Sequence, residues 1–138
     1  MIIKAIRNFL DEASFLENNL VRFMSSPENQ NIEIGRKYIV QGLAFWEGKV
    51  FYYIYENKDS LYPVPVYSEF FRLIDGSISK YWKATFDESS LNGSNFYLLF
   101  REWSENLGIY EDLINGNFFA MEIFSKYRGL LDIENDIH

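Results

Sequence analysis

The stretch Lys37–Tyr55, KYIVQGLAFWEGKVFYYIY, decides the fold. Two runs of apolar, aromatic and β-branched residues flank Trp46-Glu47-Gly48-Lys49. Val, Ile, Tyr and Phe suit the pleated surface of a strand, and both runs have strand length. Gly48 is the natural residue for a tight turn with φ > 0. The spacing therefore predicts a β-hairpin. It is too apolar to stand in water on both faces, and an isolated hairpin is marginal in any case. Other elements must cover it.

Working outward, residues 2–24 carry apolar residues at three- and four-residue steps: Ile2, Ile6, Phe9, Leu10, Ala13, Leu16, Leu20, Phe23 and Met24. That pattern predicts an N-terminal helical segment, one helix or two, with Ser14-x-x-Glu17 spaced as a capping box. Pro27 ends it, since the residue before proline avoids the α region. Ile32-Glu33-Ile34 alternates like a short strand, with Gly35 as a turn or bulge before the hairpin.

Beyond the hairpin, Tyr62–Tyr67 contains Pro63 and Pro65, which lack ladder donors, so it is an edge strand or an extended connector. Phe70–Ile74 runs into the turn signal Asp75-Gly76. Further strands are expected at Tyr81–Phe86 and Phe96–Phe100, joined by a loop whose Asn92-Gly93 suits a type I′ turn. Ile109–Ile114 reads as a short helix closed by Asn115-Gly116. Asn117 can cap a second helix with Phe118, Met121, Phe124 and Tyr127 on one side, which Gly129 would end. Residues 132–138 read as a polar, frayed tail. The expected fold is α+β: an antiparallel sheet of four to five strands packed by the N-terminal helical segment and the C-terminal helices, in one domain spanning residues 1–138.

Composition narrows the functions. The chain has 138 residues, no cysteine and one histidine, His138. Thiol nucleophiles and zinc–thiolate sites are excluded. A lone imidazole in a frayed tail is a poor general base, because catalysis needs it held in geometry. The phosphate-binding patterns G-x-x-x-x-G-K-[ST] and G-x-G-x-x-G are absent. No catalytic residue, metal ligand set or cofactor is expected. No segment approaches the roughly 18 apolar residues of a membrane span, and the N-terminus lacks the features of a signal peptide, so a cytoplasmic location is expected.

The net charge of −7 is unevenly placed. Residues 1–83 hold ten Lys+Arg and ten Asp+Glu, whereas residues 84–138 hold three and ten. This sign argues against nucleic acid as a partner. It suits either a solvated acidic surface or steering toward a basic partner. Aromatic residues beside carboxylates suit a protein interface, and Arg101-Glu102-Trp103-Ser104-Glu105 is the best local example, expected at the surface.

Two stretches together resemble a known class. FFRLIDGSISKYW (70–82) is a strand entering an Asp-Gly turn with a tryptophan a few residues on. FYLLFREWSENLGIYEDLINGNFFAMEIFSKYR (96–128) is an aromatic strand, a Glu-Trp exit, a short helix ending in Asn-Gly, and a longer helix. The combination resembles small immunity proteins of bacterial polymorphic-toxin and contact-dependent growth inhibition systems. The resemblance implies a cytoplasmic, acidic α+β domain, monomeric or weakly dimeric, that binds and blocks a cognate toxin domain, often a basic-grooved nuclease. It carries over no site residues. The charge asymmetry places the expected contact surface in the acidic half, with Asp87, Glu88, Glu102, Glu105, Glu111 and Asp112 as charged candidates and Trp103 and Tyr110 as anchors. A small-ligand or carbohydrate-binding domain, or a carboxylate-dependent hydrolase, around an aromatic-lined pocket is the alternative. Two buried carboxylates in a cleft would favour the enzyme. A structural subunit of a larger assembly is the third.

Overall fold

A computed structural model describes residues 1–7, 31–87 and 95–136. Its strands are β1 (Ile2–Ala5), β2 (Lys37–Ile39), β3 (Gly42–Trp46), β4 (Lys49–Ile54), β5 (Val64–Tyr67), β6 (Phe71–Asp75), β7 (Trp82–Asp87) and β8 (Asn95–Phe100). Three helices follow: α1 (Arg101–Glu105), α2 (Ile109–Ile114) and α3 (Phe118–Glu134). All pairings are antiparallel, in two sheets with strand orders β2-β1-β6 and β5-β4-β3-β8-β7.

The expected turn is present. Glu47 (φ 51°) and Gly48 (φ 76°) both occupy the left-handed region, and Trp46 pairs with Lys49. This is the two-residue loop whose twist matches its flanking strands. The N-terminal arm of the run, however, is split. Lys37–Ile39 pairs with β1 in the small sheet, while Gly42–Trp46 pairs with β4 and β8 in the large one. The switch falls at Val40-Gln41: the Val40 amide donates to Met1 O and the Gln41 amide to Tyr53 O. A continuous apolar run thus serves two sheets rather than one.

The proline-bearing strand β5 lies at the edge of the large sheet, as the missing donor of Pro65 requires, and Pro63 immediately precedes it. One turn of 3-10 helix, Ser68–Phe70, then carries the chain into β6 of the small sheet, with Phe70 fully buried. Phe71 meets Tyr38 edge-on at 6.1 Å and Tyr52 edge-on at 5.8 Å, so its ring bridges the sheets. The core contains Ile3, Val40, Phe51, Ile54, Leu99, Trp103 and Leu131, all fully buried. Each such aliphatic or aromatic side chain contributes roughly 1.5–3 kcal/mol of transfer free energy.

The beginning of the chain corrects the helical expectation. Ile2–Ala5 is the central strand of the small sheet, with Ile3 opposite both Tyr38 and Leu73. Four residues are too few to separate a two-residue period from a 3.6-residue one, and β-branched Ile2-Ile3 favours the strand. The remaining expected helical residues, from Phe9 to Met24, lie outside the described residues, as does Asn92-Gly93. Residues 32–34 are not a strand; Ile34 and Gly35 form a turn instead.

At the other end, α2 closes on Gly116 (φ 83°), whose amide donates to Leu113 O. The Asn117 side chain caps α3 by accepting from the Ala120 amide at 3.0 Å. This helix runs through Gly129 to Glu134, so neither Gly129 nor Asp132 ends it. Phe124, Tyr127 and Leu131 are buried along one side and hold it down. Asn135 is tied in as well: its side-chain oxygen accepts from the Met1 amino group at 2.9 Å. Among the described residues, no helix is long and apolar enough to cross a membrane.

Candidate functional site: an aromatic cleft with a carboxylate rim

The site begins at a glycine. Gly42 on β3 pairs with Tyr53 on β4, and a Cβ at Gly42 would lie 2.6 Å from Leu99 Cδ2 and 3.7 Å from the indole of Trp103. The bare backbone therefore lets Trp103 settle onto the sheet. The chain delivers it directly, since α1 starts at the residue after β8. Trp103 meets Tyr53 edge-on at 4.7 Å and Phe124 of α3 at 4.9 Å. Ile109 and Leu113 anchor α2, which lays the Tyr110 ring parallel to the indole, 5.5 Å away and 13° inclined.

Beside this stack opens a cleft of about 310 Å³. Among the described residues, Tyr53, Tyr97, Trp103 and Tyr110 supply aromatic surface, Leu107 and Gly108 the connection between α1 and α2, and Asp87 and Glu111 the only charges of its lining. Glu111 is exposed, Asp87 and Tyr110 are half-buried, and Tyr53, Tyr97 and Trp103 are buried. The phenols differ in their bonding. Tyr97 Oη accepts from Trp46 Nε1 at 2.8 Å, and Tyr110 donates to Pro63 O at 2.6 Å. Among the described residues the Tyr53 hydroxyl, in a side chain only 5% exposed, makes no hydrogen bond.

Burial raises the pKa of all three phenols. For Tyr53 the neighbouring Tyr110 and Tyr97 add to the rise. For Tyr97 the bond from Trp46 opposes it and the Asp87 carboxylate reinforces it. The three therefore stay neutral through the physiological range. They offer hydrogen bonds and ring faces rather than a proton poised for transfer.

Four expected interface residues, Asp87, Trp103, Tyr110 and Glu111, line this one cleft. Asp112 is exposed beside Glu111 on α2. The others face elsewhere. Glu102 accepts from the Tyr127 hydroxyl at 3.0 Å. Glu105 binds Lys83 at 3.1 Å and Arg101 at 3.3 Å, and those bonds, Lys83 first, lower its pKa. Glu88 lies outside the described residues. The expectation that 101–105 lies at the surface needs correction: Trp103 is 2% exposed and Ser104 is buried, with its hydroxyl bonding Lys83 O and Leu99 O. Trp103 is a wall of the cleft, not a protruding anchor.

Tyr53, Tyr97, Leu107 and Gly108 were not expected in the site. The alternation of β4 and β8 would have put Tyr53 and Tyr97 on one face had the register of β3 between them been known.

A second depression, about 160 Å³ and lined by Arg36, Lys37, Tyr55, Arg128 and Asp132 among others, is basic. Its principal cation is engaged within the fold: Arg128 lies 3.8 Å over the Tyr55 ring and donates to Ser60 O and Asn57 O, both at 3.1 Å. Among the described residues no group of three or more His, Cys, Asp or Glu is arranged to hold a metal ion. Compared with known protein families, curated proteins and solved structures, the chain matches none.

Proposed function

We propose that the protein is an immunity-type inhibitor that acts in the cytoplasm as a stoichiometric binder of a basic toxin domain, an activity such as a nuclease's being the natural target. The observation that carries this reading is the aromatic cleft whose charged lining among the described residues, Asp87 and Glu111, is acidic. It belongs largely to the half of the chain that holds the whole −7. Rigid aromatic surface beside carboxylates supports recognition of a basic surface: the rings supply contact area, and the charges speed and orient encounter. The resemblance of residues 70–82 and 96–128 to immunity proteins points the same way.

The test is co-expression with the product of the neighbouring gene in the source genome. A tight one-to-one complex that relieves the neighbour's toxicity is the expected result. No complex and no protection would overturn the reading.

The cleft also suits the second reading, a small-ligand or carbohydrate-binding domain. The hydrolytic version has less support, because Glu111 is an exposed rim carboxylate rather than one of a buried pair.

A further inference from the structure

We propose that the cleft between β4, β8 and α2 is a socket for a guanidinium group, the arginine side chain of a basic protein partner. The polar atoms it offers point to a cation. The Tyr53 hydroxyl lies buried at its wall with no hydrogen-bond partner among the described residues, an arrangement that native proteins rarely leave unexplained. Tyr97 Oη already accepts from Trp46 Nε1 and is hydrogen-bonded to the Asn95 side chain, so it adds ring surface rather than a free acceptor. Glu111 presents an exposed carboxylate at the rim, and the half-buried Asp87 adds negative charge to the lining. Among the described residues no Lys, Arg or His lines the cleft. Lys83 and Arg101, on the neighbouring β7 and α1, are bound to Glu105.

Guanidinium fits this set better than other groups. It carries five donors and no acceptor, so it can meet a phenol oxygen and a carboxylate together. Its plane stacks on aromatic rings, and Tyr110 is half-exposed, with Trp103 stacked parallel to it. A carbohydrate brings no charge to meet the carboxylates.

The socket depends on the inhibitor reading for the source of the arginine, not for its own chemistry, and the two can be separated. N-acetyl-arginine methylamide is titrated into the full-length protein while the Trp103 indole N–H and the Gly108 amide are followed by NMR. Saturable shifts are expected, at least about tenfold weaker with the neutral citrulline analogue, which converts to about 1.4 kcal/mol. Glu111→Gln and Tyr53→Phe should each weaken the arginine derivative, with the spectrum otherwise native. Equal responses to arginine and citrulline derivatives, or no saturable shift, would overturn the socket.

In a second arm the same variants are measured against the neighbouring gene's product. A complex whose Kd is unchanged by both variants overturns the socket and leaves the inhibitor reading standing. Saturation by the arginine derivative without any complex supports the socket and removes the inhibitor reading.

Discussion

Tyr53 and Tyr110 meet edge to face, ring centroids 5.5 Å apart and planes at 73°, yet their hydroxyls differ in what they bond. That of Tyr110 donates to Pro63 O at 2.6 Å and pins α2 to the start of β5, whereas that of Tyr53 bonds nothing among the described residues. Tyr110→Phe should therefore lose about 0.5–1.5 kcal/mol of stability, with Pro63 O left unpaired. Tyr53→Phe should lose nothing or gain slightly, because it removes a buried unsatisfied group. Thermal unfolding of the two variants checks this; an equal loss in both would contradict it.

Alkaline pH should destabilise the protein through its phenols. Burial raises Tyr55 from the ordinary 10.0 to about 12, against a weaker opposing effect of Arg128. Between those values the unfolded chain has lost the proton that the native state keeps. Stability is fully present below pH 10 and falls by about 1.4 kcal/mol per pH unit until the native phenol ionises. Tyr53, Tyr97 and Tyr110 shift in the same direction. Tyrosinate absorbance should thus rise together with loss of the folded circular dichroism signal, rather than as independent titrations in an intact fold.

Two glycines should respond oppositely to alanine. Gly129 is exposed in the middle of α3, with nothing within 4 Å of an added Cβ. Gly129→Ala should stabilise by about 0.5–1 kcal/mol. At Gly42 the added methyl would strike Leu99 Cδ2 at 2.6 Å and approach Leu98 O at 3.2 Å. Gly42→Ala should cost about 1–3 kcal/mol by overpacking and disturb the Trp103 wall. Urea denaturation midpoints of the two variants give the signs directly.

If the partner is basic, Glu111→Gln with Asp112→Asn should slow association and flatten its salt dependence while leaving the melting temperature unchanged. Glu105→Gln should matter much less, because Lys83 and Arg101 already hold that carboxylate. Stopped-flow rates at two ionic strengths distinguish the pair. An equal effect at Glu105 would move the contact surface from the cleft toward α1.

Local chemistry made much of this fold legible in the sequence. Glu47-Gly48 forms the hairpin turn, Asn117 caps α3, and Pro63 and Pro65 mark an edge. What could not be read depended on distant partners. Nothing near Ile2–Ala5 shows that Lys37–Ile39 and Phe71–Asp75 will flank it. Gly129 and Asp132 look like a helix end because the glycine costs about 1 kcal/mol. Burial of Leu131 one turn beyond Tyr127 outweighs that penalty.

The site was half legible for the same reason. Carboxylates and aromatics of the acidic half can be counted, but which of them line the cleft, as Asp87 and Glu111 do, and which sit away from it, as Glu102 and Glu105 do, cannot. Trp103, flanked by charged residues in sequence, is turned inward by one helical turn. Tyr53 and Tyr97 enter only once β3 has been placed between β4 and β8.

The position of β1 also orders events during synthesis. It is synthesised before the strands that flank it, and one neighbour arrives with Tyr38 and the other only with Leu73. Until then its backbone N–H and C=O groups form an open edge, available to any other nascent strand. Contacts so remote in sequence close slowly. The hairpin at Glu47-Gly48 closes through local contacts, whereas the small sheet waits for the chain to return, so chaperone dependence and aggregation during translation should concentrate on polypeptides halted before residue 71.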